Sequence, residues 1–357
     1  MKSPPGALTQ LCSPGETINE AYSRRLTETM GVVTSGDMSS CQASLIIKER
    51  PLKLPHKLYM LLKDLDKTNE RPDGEQLIDA VQVAAAAKQL SCGFFYRWRF
   101  PRKEPVPVIE KWLAVRKDWH KELREKLKGS KEMMDSPKLL MKAAERWENG
   151  YTYIERNEAG EEKSRYKVNP RESNGPLPSW SSEFWSKWKE VRHTVRPETE
   201  AVWVDSFMVE DAAAWLRSNV GVCWYEFVDF GRAVERASGL VRYGAGEEGA
   251  QIIQADSKVS CIASIRAHGT GKNLQGFSRC LVANPPSGGA EWEQLLGRHH
   301  RQGQLADEVT VDVYRHTEVM RSALDKARLL SEYIQGTFGA QQKLVSSATY
   351  LFGDDNE

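Results

Sequence analysis

Long apolar runs are missing from these 357 residues. No stretch approaches the ~20 apolar residues that a membrane-spanning helix needs, so no transmembrane helix is expected. Net charge is nearly absent as well. Fifty Lys and Arg face 49 Asp and Glu, and the resulting +1 gives no global field that points to a polyanion. The six cysteines (Cys12, Cys41, Cys92, Cys223, Cys261, Cys280) form no C-x-x-C pair and no zinc spacing with histidine. No metal site is expected, and reduced thiols of an intracellular protein are the simple reading. No Gly-x-Ser-x-Gly elbow is present, which removes the commonest serine-hydrolase signature. No internal repeat or coiled-coil heptad is visible, and Met1-Lys2-Ser3-Pro4-Pro5-Gly6 has no apolar signal core. These absences lead to the expectation of a cytoplasmic protein, of a bacterium or a phage-infected cell, with no membrane among its partners.

The length allows a large core and two structural units. Residues 1–43, rich in Ser, Thr, Gly and Pro, read as loosely ordered, with a short helix near Ala21–Leu26. Residues 44–148 read as a mainly helical basic and aromatic accessory region that opens on a strand, Ser44–Arg50. Within it, Val108, Trp112, Val115, Trp119 and Leu123 recur at spacings of three and four, which predicts a helix over 106–128 with one apolar face. From Arg97 to Lys131, 12 Lys and Arg stand against 5 Asp and Glu, giving +7, just after the aromatic run Phe94–Phe100. A basic, aromatic surface binds phosphates and stacks on unpaired bases. A solvated helix packed by its tryptophans explains the same residues. Residues 149–182, with Asn174-Gly175-Pro176, read as a linker or surface loop.

From 183 to 317 the pattern changes. After a helix over 182–191, strands at Ala201–Val204, Gly221–Phe227, Leu240–Tyr243, Lys258–Ser264, Ser278–Ala283 and Glu308–Tyr314 alternate with helices at Met208–Asn219, Asp229–Ala237 and Glu291–His299. Apolar strands between helices predict an α/β fold, a parallel sheet covered on both faces. Ligands of such sheets bind at the carboxyl ends of the strands. Residues 318–357 read as a helical tail.

Two segments in this region carry chemistry. Ser264-Ile265-Arg266-Ala267-His268-Gly269-Thr270-Gly271-Lys272-Asn273-Leu274 follows a strand, and its glycines permit positive φ and close backbone approach, so its amides can form an anion-binding nest. Gly-Thr-Gly-Lys is not a Walker A loop. That loop's first glycine would fall on Arg266, and Asn273 has no hydroxyl for Mg²⁺. Downstream, Gln294-Leu295-Leu296-Gly297-Arg298-His299-His300-Arg301-Gln302-Gly303-Gln304 reads as a helix start between two strands. Arg298 and Arg301, three apart, are expected on one helical face. Two guanidiniums that cannot lose their charge make a receptor for phosphate.

Together the two segments resemble motifs V and VI of superfamily-two (DEAD/DEAH-class) helicases and translocases, most nearly the Swi/Snf type and related phage helicases. Ser264, Arg266, Ala267, Gly269, Gly271, Asn273 and Leu274 match the first pattern, with His268 in place of a glycine and Lys272 in place of an aliphatic residue. Gln294, Arg298, His300, Arg301, Gly303 and Gln304 match the second, and Asn284-Pro285 sits between them. Strand 220–227 resembles the motif IV position. The match covers about a third of the chain, Val202 to Thr317.

The resemblance implies a RecA-like second motor lobe that binds ATP with Mg²⁺. In it Arg298 and Arg301 are arginine fingers, and Gln294, Gly297, Gly269, Gly271, Asn273 and Gln304 border the nucleotide. His268, Thr270 and Lys272 face nucleic acid, DNA by preference. The first lobe's Walker A loop is nowhere in the sequence, and neither Asp307-Glu308 nor Asp354-Asp355 follows an apolar Walker B strand. The implied partner is therefore a first RecA-like lobe on another polypeptide, which holds Mg²⁺. The alternative is a non-catalytic nucleic-acid- or protein-binding module derived from such a lobe.

Overall fold

The computed structural model describes residues 12–27, 41–129, 139, 141–142, 145, 149–156, 161–168, 183–269 and 271–352. In chain order its strands are β1 (Ser44–Arg50), β2 (Phe94–Arg99), β3 (Tyr151–Arg156), β4 (Glu162–Val168), β5 (Glu198–Trp203), β6 (Val222–Tyr225), β7 (Arg242–Tyr243), β8 (Cys261–Ser264), β9 (Arg279–Val282), β10 (Glu308–Tyr314) and β11 (Ala348–Tyr350). The chain divides into two compact units. One comprises 1–62, 87–95 and 203–357, and the other 63–86 and 96–202.

The first unit is built on a seven-stranded sheet in the order β11-β1-β10-β9-β6-β8-β7. Every pairing in it is parallel. The four-residue strands β6 and β8 are buried along their whole length and apolar except for Ser264 at the end of β8, as strands covered on both faces are. One face carries Leu45, Ile47, Val222, Trp224, Ala263, Cys280, Val282, Val309, Val311 and Val313. Against it pack Trp292, Leu295 and Leu296 of the helix Gly289–His299 and Leu324 and Ala327 of the helix Glu318–Phe338. Burying each large aliphatic side chain is worth ~1.5–3 kcal/mol. The other face meets the helices Phe207–Ser218 and Val228–Ser238. Trp215 donates its indole N–H to Asp312 (2.7 Å), the Tyr314 hydroxyl donates to Asp211 (2.6 Å), and Arg50 pairs with the same carboxylate. The expected parallel sheet with helices on both faces is what the chain forms.

The boundaries differ from those read in the sequence. Ser44–Arg50 is a strand, but it belongs to this sheet and not to an accessory region, because β10 pairs with it over seven residues. The tail is part of the unit too, since β11 adds to β1 and the helix Glu318–Phe338 covers the core. The Ala201–Val204 strand belongs instead to β5, which pairs with β2 in a separate two-stranded ribbon.

The second unit centres on tryptophans. The helices Val106–Gly129 and Glu183–Val191 meet through Trp119 on Trp185 (ring centroids 5.1 Å) and Trp112 on Trp188 (5.3 Å). Arg116 lies over both Trp98 and Trp112 and pairs with Glu75. The helical period places Trp112, Trp119 and Leu123 in the core, so these aromatics are packing residues and not a stacking surface. Phe94 and Phe95 of the aromatic run are buried as well. Burial, then Arg116 and Arg124, push the His120 imidazole down to about 3. The expected linker contains an antiparallel hairpin, β3 with β4. Among the described residues no helix is long and apolar enough to cross a membrane.

Candidate functional site

The glycine segment starts at the carboxyl end of β8. Ser264 caps a single helical turn, Ile265–His268, by accepting the Ala267 N–H. Gly269 closes that turn with φ −60°, so positive φ is not why glycine stands there. A Cβ would lie 2.5 Å from the Ile265 carbonyl oxygen. Gly271 does need its freedom, with φ +73°. Gly271 and Asn273 are exposed, and Lys272 is half-buried. Thr270, expected at nucleic acid, lies outside the described residues.

His268 is not placed to touch a phosphate backbone. It is 3 % exposed, and its Nε2–H donates to the Gly244 carbonyl (2.7 Å). Burial lowers its pKa. The imidazole ties two loops at the carboxyl edge of the sheet.

The second segment ends a helix instead of starting one. The helix Gly289–His299 buries Trp292, Leu295 and Leu296 and leaves Gln294 exposed and Gly297 half-exposed. Arg298 occupies its last turn. Its Nε donates to the Gln294 carbonyl (3.0 Å), and its Nη1 donates to the Lys272 carbonyl (2.7 Å). The Leu274 N–H donates back to the Arg298 carbonyl (3.1 Å). Arg301 lies past the helix end, so the two arginines do not share a helical face as the three-residue spacing suggested. They are nevertheless close: burial and then the charge of Arg301 lower the Arg298 pKa. No carboxylate among the described residues pairs with Arg298, Arg301 or Lys272. Gln304 is committed to its own loop, donating to the His299 carbonyl (3.1 Å) and accepting the Ala306 N–H (3.0 Å).

Two histidines that the sequence reading left in the background hold this helix end. His299 is fully buried between the Phe277 carbonyl and the Trp224 indole. The Nε2–H of His300 donates to the Ala43 carbonyl (2.7 Å). Ala43 immediately precedes β1, and Phe277 lies just before β9. The arginine cluster therefore sits at the amino-terminal edge of the sheet, not at the carboxyl edge where ligands of α/β sheets ordinarily bind. The glycine segment leaves the carboxyl edge and runs down the sheet to meet Arg298.

The carboxyl edge over β6, β9 and β10 is occupied by the protein itself. Residues 87–95 cross it. Lys88 pairs with Glu226 (3.2 Å), Asn284 donates to the Cys92 sulfur (3.0 Å), and His316 donates to the Ser91 carbonyl (2.9 Å). Asn284, of the Asn-Pro pair, also accepts the Glu226 N–H (3.2 Å). Among the described residues no group of carboxylates, thiols and imidazoles is arranged to hold a metal ion.

No family model matches the chain, and no curated protein matches it. Among solved structures, it is similar to the C-terminal part of the Fun30 ATPase domain, at 12 % identity and a TM-score of 0.39, over 80 % of this chain and 88 % of that one.

Proposed function

We propose that the first unit is the second motor lobe of an ATP-dependent nucleic-acid helicase or translocase. One observation carries this reading: at the amino edge of the sheet the Arg298 guanidinium is held on the Lys272 carbonyl within electrostatic reach of Arg301, and no carboxylate among the described residues pairs with either arginine. A guanidinium has five N–H donors. Arg298 uses two on backbone carbonyls, which aim the group and leave the rest of its fork for an anion. Arg301 is exposed, and no described residue accepts a hydrogen bond or ion pair from its side chain. A polyphosphate is the ligand that such a pair suits best. As arginine fingers on the γ-phosphate of ATP, they would spread the charge that builds on the equatorial oxygens, an effect worth ~10³–10⁵ in rate.

The sequence has no Walker A loop and no acidic pair that follows an apolar strand, so the proposed cleft needs a first lobe from outside these 357 residues. In this reading the glycine segment couples the nucleotide cleft to nucleic acid: it starts at the carboxyl edge, where Ser264 ends β8, and its Lys272 carbonyl holds Arg298. The test is ATP turnover when this protein is mixed with a polypeptide that carries the missing loop and acidic strand, with nucleic acid present. Turnover that Arg301→Ala abolishes supports the motor. Nucleic-acid binding without turnover in any mixture sinks it in favour of a non-catalytic binding module.

A further inference from the structure

The His299 ring has two nitrogens and two partners of opposite kind. The Phe277 carbonyl, 3.1 Å from Nδ1, can only accept. The Trp224 indole N–H, 3.0 Å from Nε2, can only donate. One arrangement satisfies both: a neutral imidazole with its proton on Nδ1 and a lone pair on Nε2. Trp224 is on β6, in the middle of the sheet, and its ring stands nearly perpendicular to the imidazole at 79°. His299 is also the last residue of its helix, between the Arg298 that reaches the glycine segment and the turn that presents Arg301.

We propose that His299 is the positioning residue of the arginine pair. It fixes the helix end against a central strand and so sets where both guanidiniums stand. It touches no ligand, and the inference rests on the reading of Arg298 and Arg301 as a polyphosphate receptor. His300 fixes the same turn to Ala43, but from outside the core. His299 joins the turn by its side chain to a strand inside the sheet.

The experiment titrates the whole chain with inorganic tripolyphosphate by calorimetry, in wild type, Arg301→Ala, His299→Phe and His299→Gln. Phe keeps the ring volume and makes neither hydrogen bond, whereas Gln keeps an acceptor that can reach the Trp224 N–H. The expected result is an affinity loss of at least tenfold in His299→Phe, with substantial recovery in His299→Gln. An unchanged affinity in His299→Phe, alongside a loss in Arg301→Ala, overturns the positioning role and leaves the receptor standing. An unchanged affinity in Arg301→Ala overturns the receptor itself. If His299→Phe does not fold, the wild-type protein decides by NMR. The Trp224 indole N–H and the His299 ring nitrogens shift on saturation with tripolyphosphate if the ring is mechanically coupled to the arginines. Resonances that stay in place refute the coupling.

Discussion

Acid should dismantle the first unit well before most carboxylates titrate. His299 is fully buried, His316 is partly buried, and both are neutral. Burial, only partly offset by hydrogen bonds to the carbonyls of Phe277 and of Ser91, holds each at about 4 against an ordinary 6.5. Between those values the unfolded chain binds a proton at each site and the folded chain does not. Stability therefore rises with pH across the window. The contribution is complete above 6.5 and is lost as pH falls toward 4. A tenfold change in proton affinity is worth ~1.4 kcal/mol, so each imidazole accounts for about 3 kcal/mol over the whole window, and about 2 kcal/mol of that is gone by pH 5. The pair then removes about 4 kcal/mol between pH 8 and pH 5, a large part of the ~5–15 kcal/mol that a folded protein commands. Urea unfolding at half-unit steps from pH 8 to pH 5, followed by tryptophan fluorescence and far-UV circular dichroism, measures it. The share of the slope from these two sites should approach ~2.4 kcal/mol per pH unit near pH 5, and His299→Gln should remove half of that share. An unfolding free energy that stays level from pH 7 to pH 5 would refute the reasoning, because two imidazoles cannot be buried neutral without that slope.

The arginines should separate in stability as they do in geometry. Arg298→Ala loses two hydrogen bonds to backbone carbonyls and should cost about 1–2 kcal/mol in urea unfolding, whereas exposed Arg301→Ala should stay within ~0.5 kcal/mol of wild type. Equal losses for both would mean that Arg301 is held by contacts like those of its neighbour. Gly93→Ala should be severe: φ is +93°, and the new Cβ would fall 2.1 Å from the Asp205 carbonyl oxygen, so a loss of about 3 kcal/mol or more is expected in the same assay.

Periodic elements were legible and pairings were not. The alternation of Val309, Val311 and Val313 marks β10 to its ends, and the spacing of Trp112, Val115 and Trp119 marks its helix within a residue or two. The strand Ser44–Arg50 was equally visible. Its assignment to the sheet was not, because its partner begins at residue 308 and a parallel pairing at that separation leaves no local mark. The hairpin β3–β4 was hidden by mixed charge. The motif pattern singled out Arg298, and the structure holds its side chain on the Lys272 carbonyl of the glycine segment. What misled was the assumption that the helix continues through Arg301. The anchor was readable: His299 is three residues after Leu296 and four after Leu295, on the helix's apolar stripe, where burial is expected.

Strand β1 is synthesised early and completed late. Leu45 and Ile47 leave the ribosome long before β10 exists, and β11, which covers the strand's other edge, follows later still. In the interval the strand has two open edges and an apolar face, the kind of segment that pairs with the wrong neighbour. Between them the chain must lay down the whole tryptophan-centred unit, 63–86 and 96–202. Translation thus delivers β1 and its two neighbours at opposite ends of a long wait, during which the early strand must be kept from pairing elsewhere.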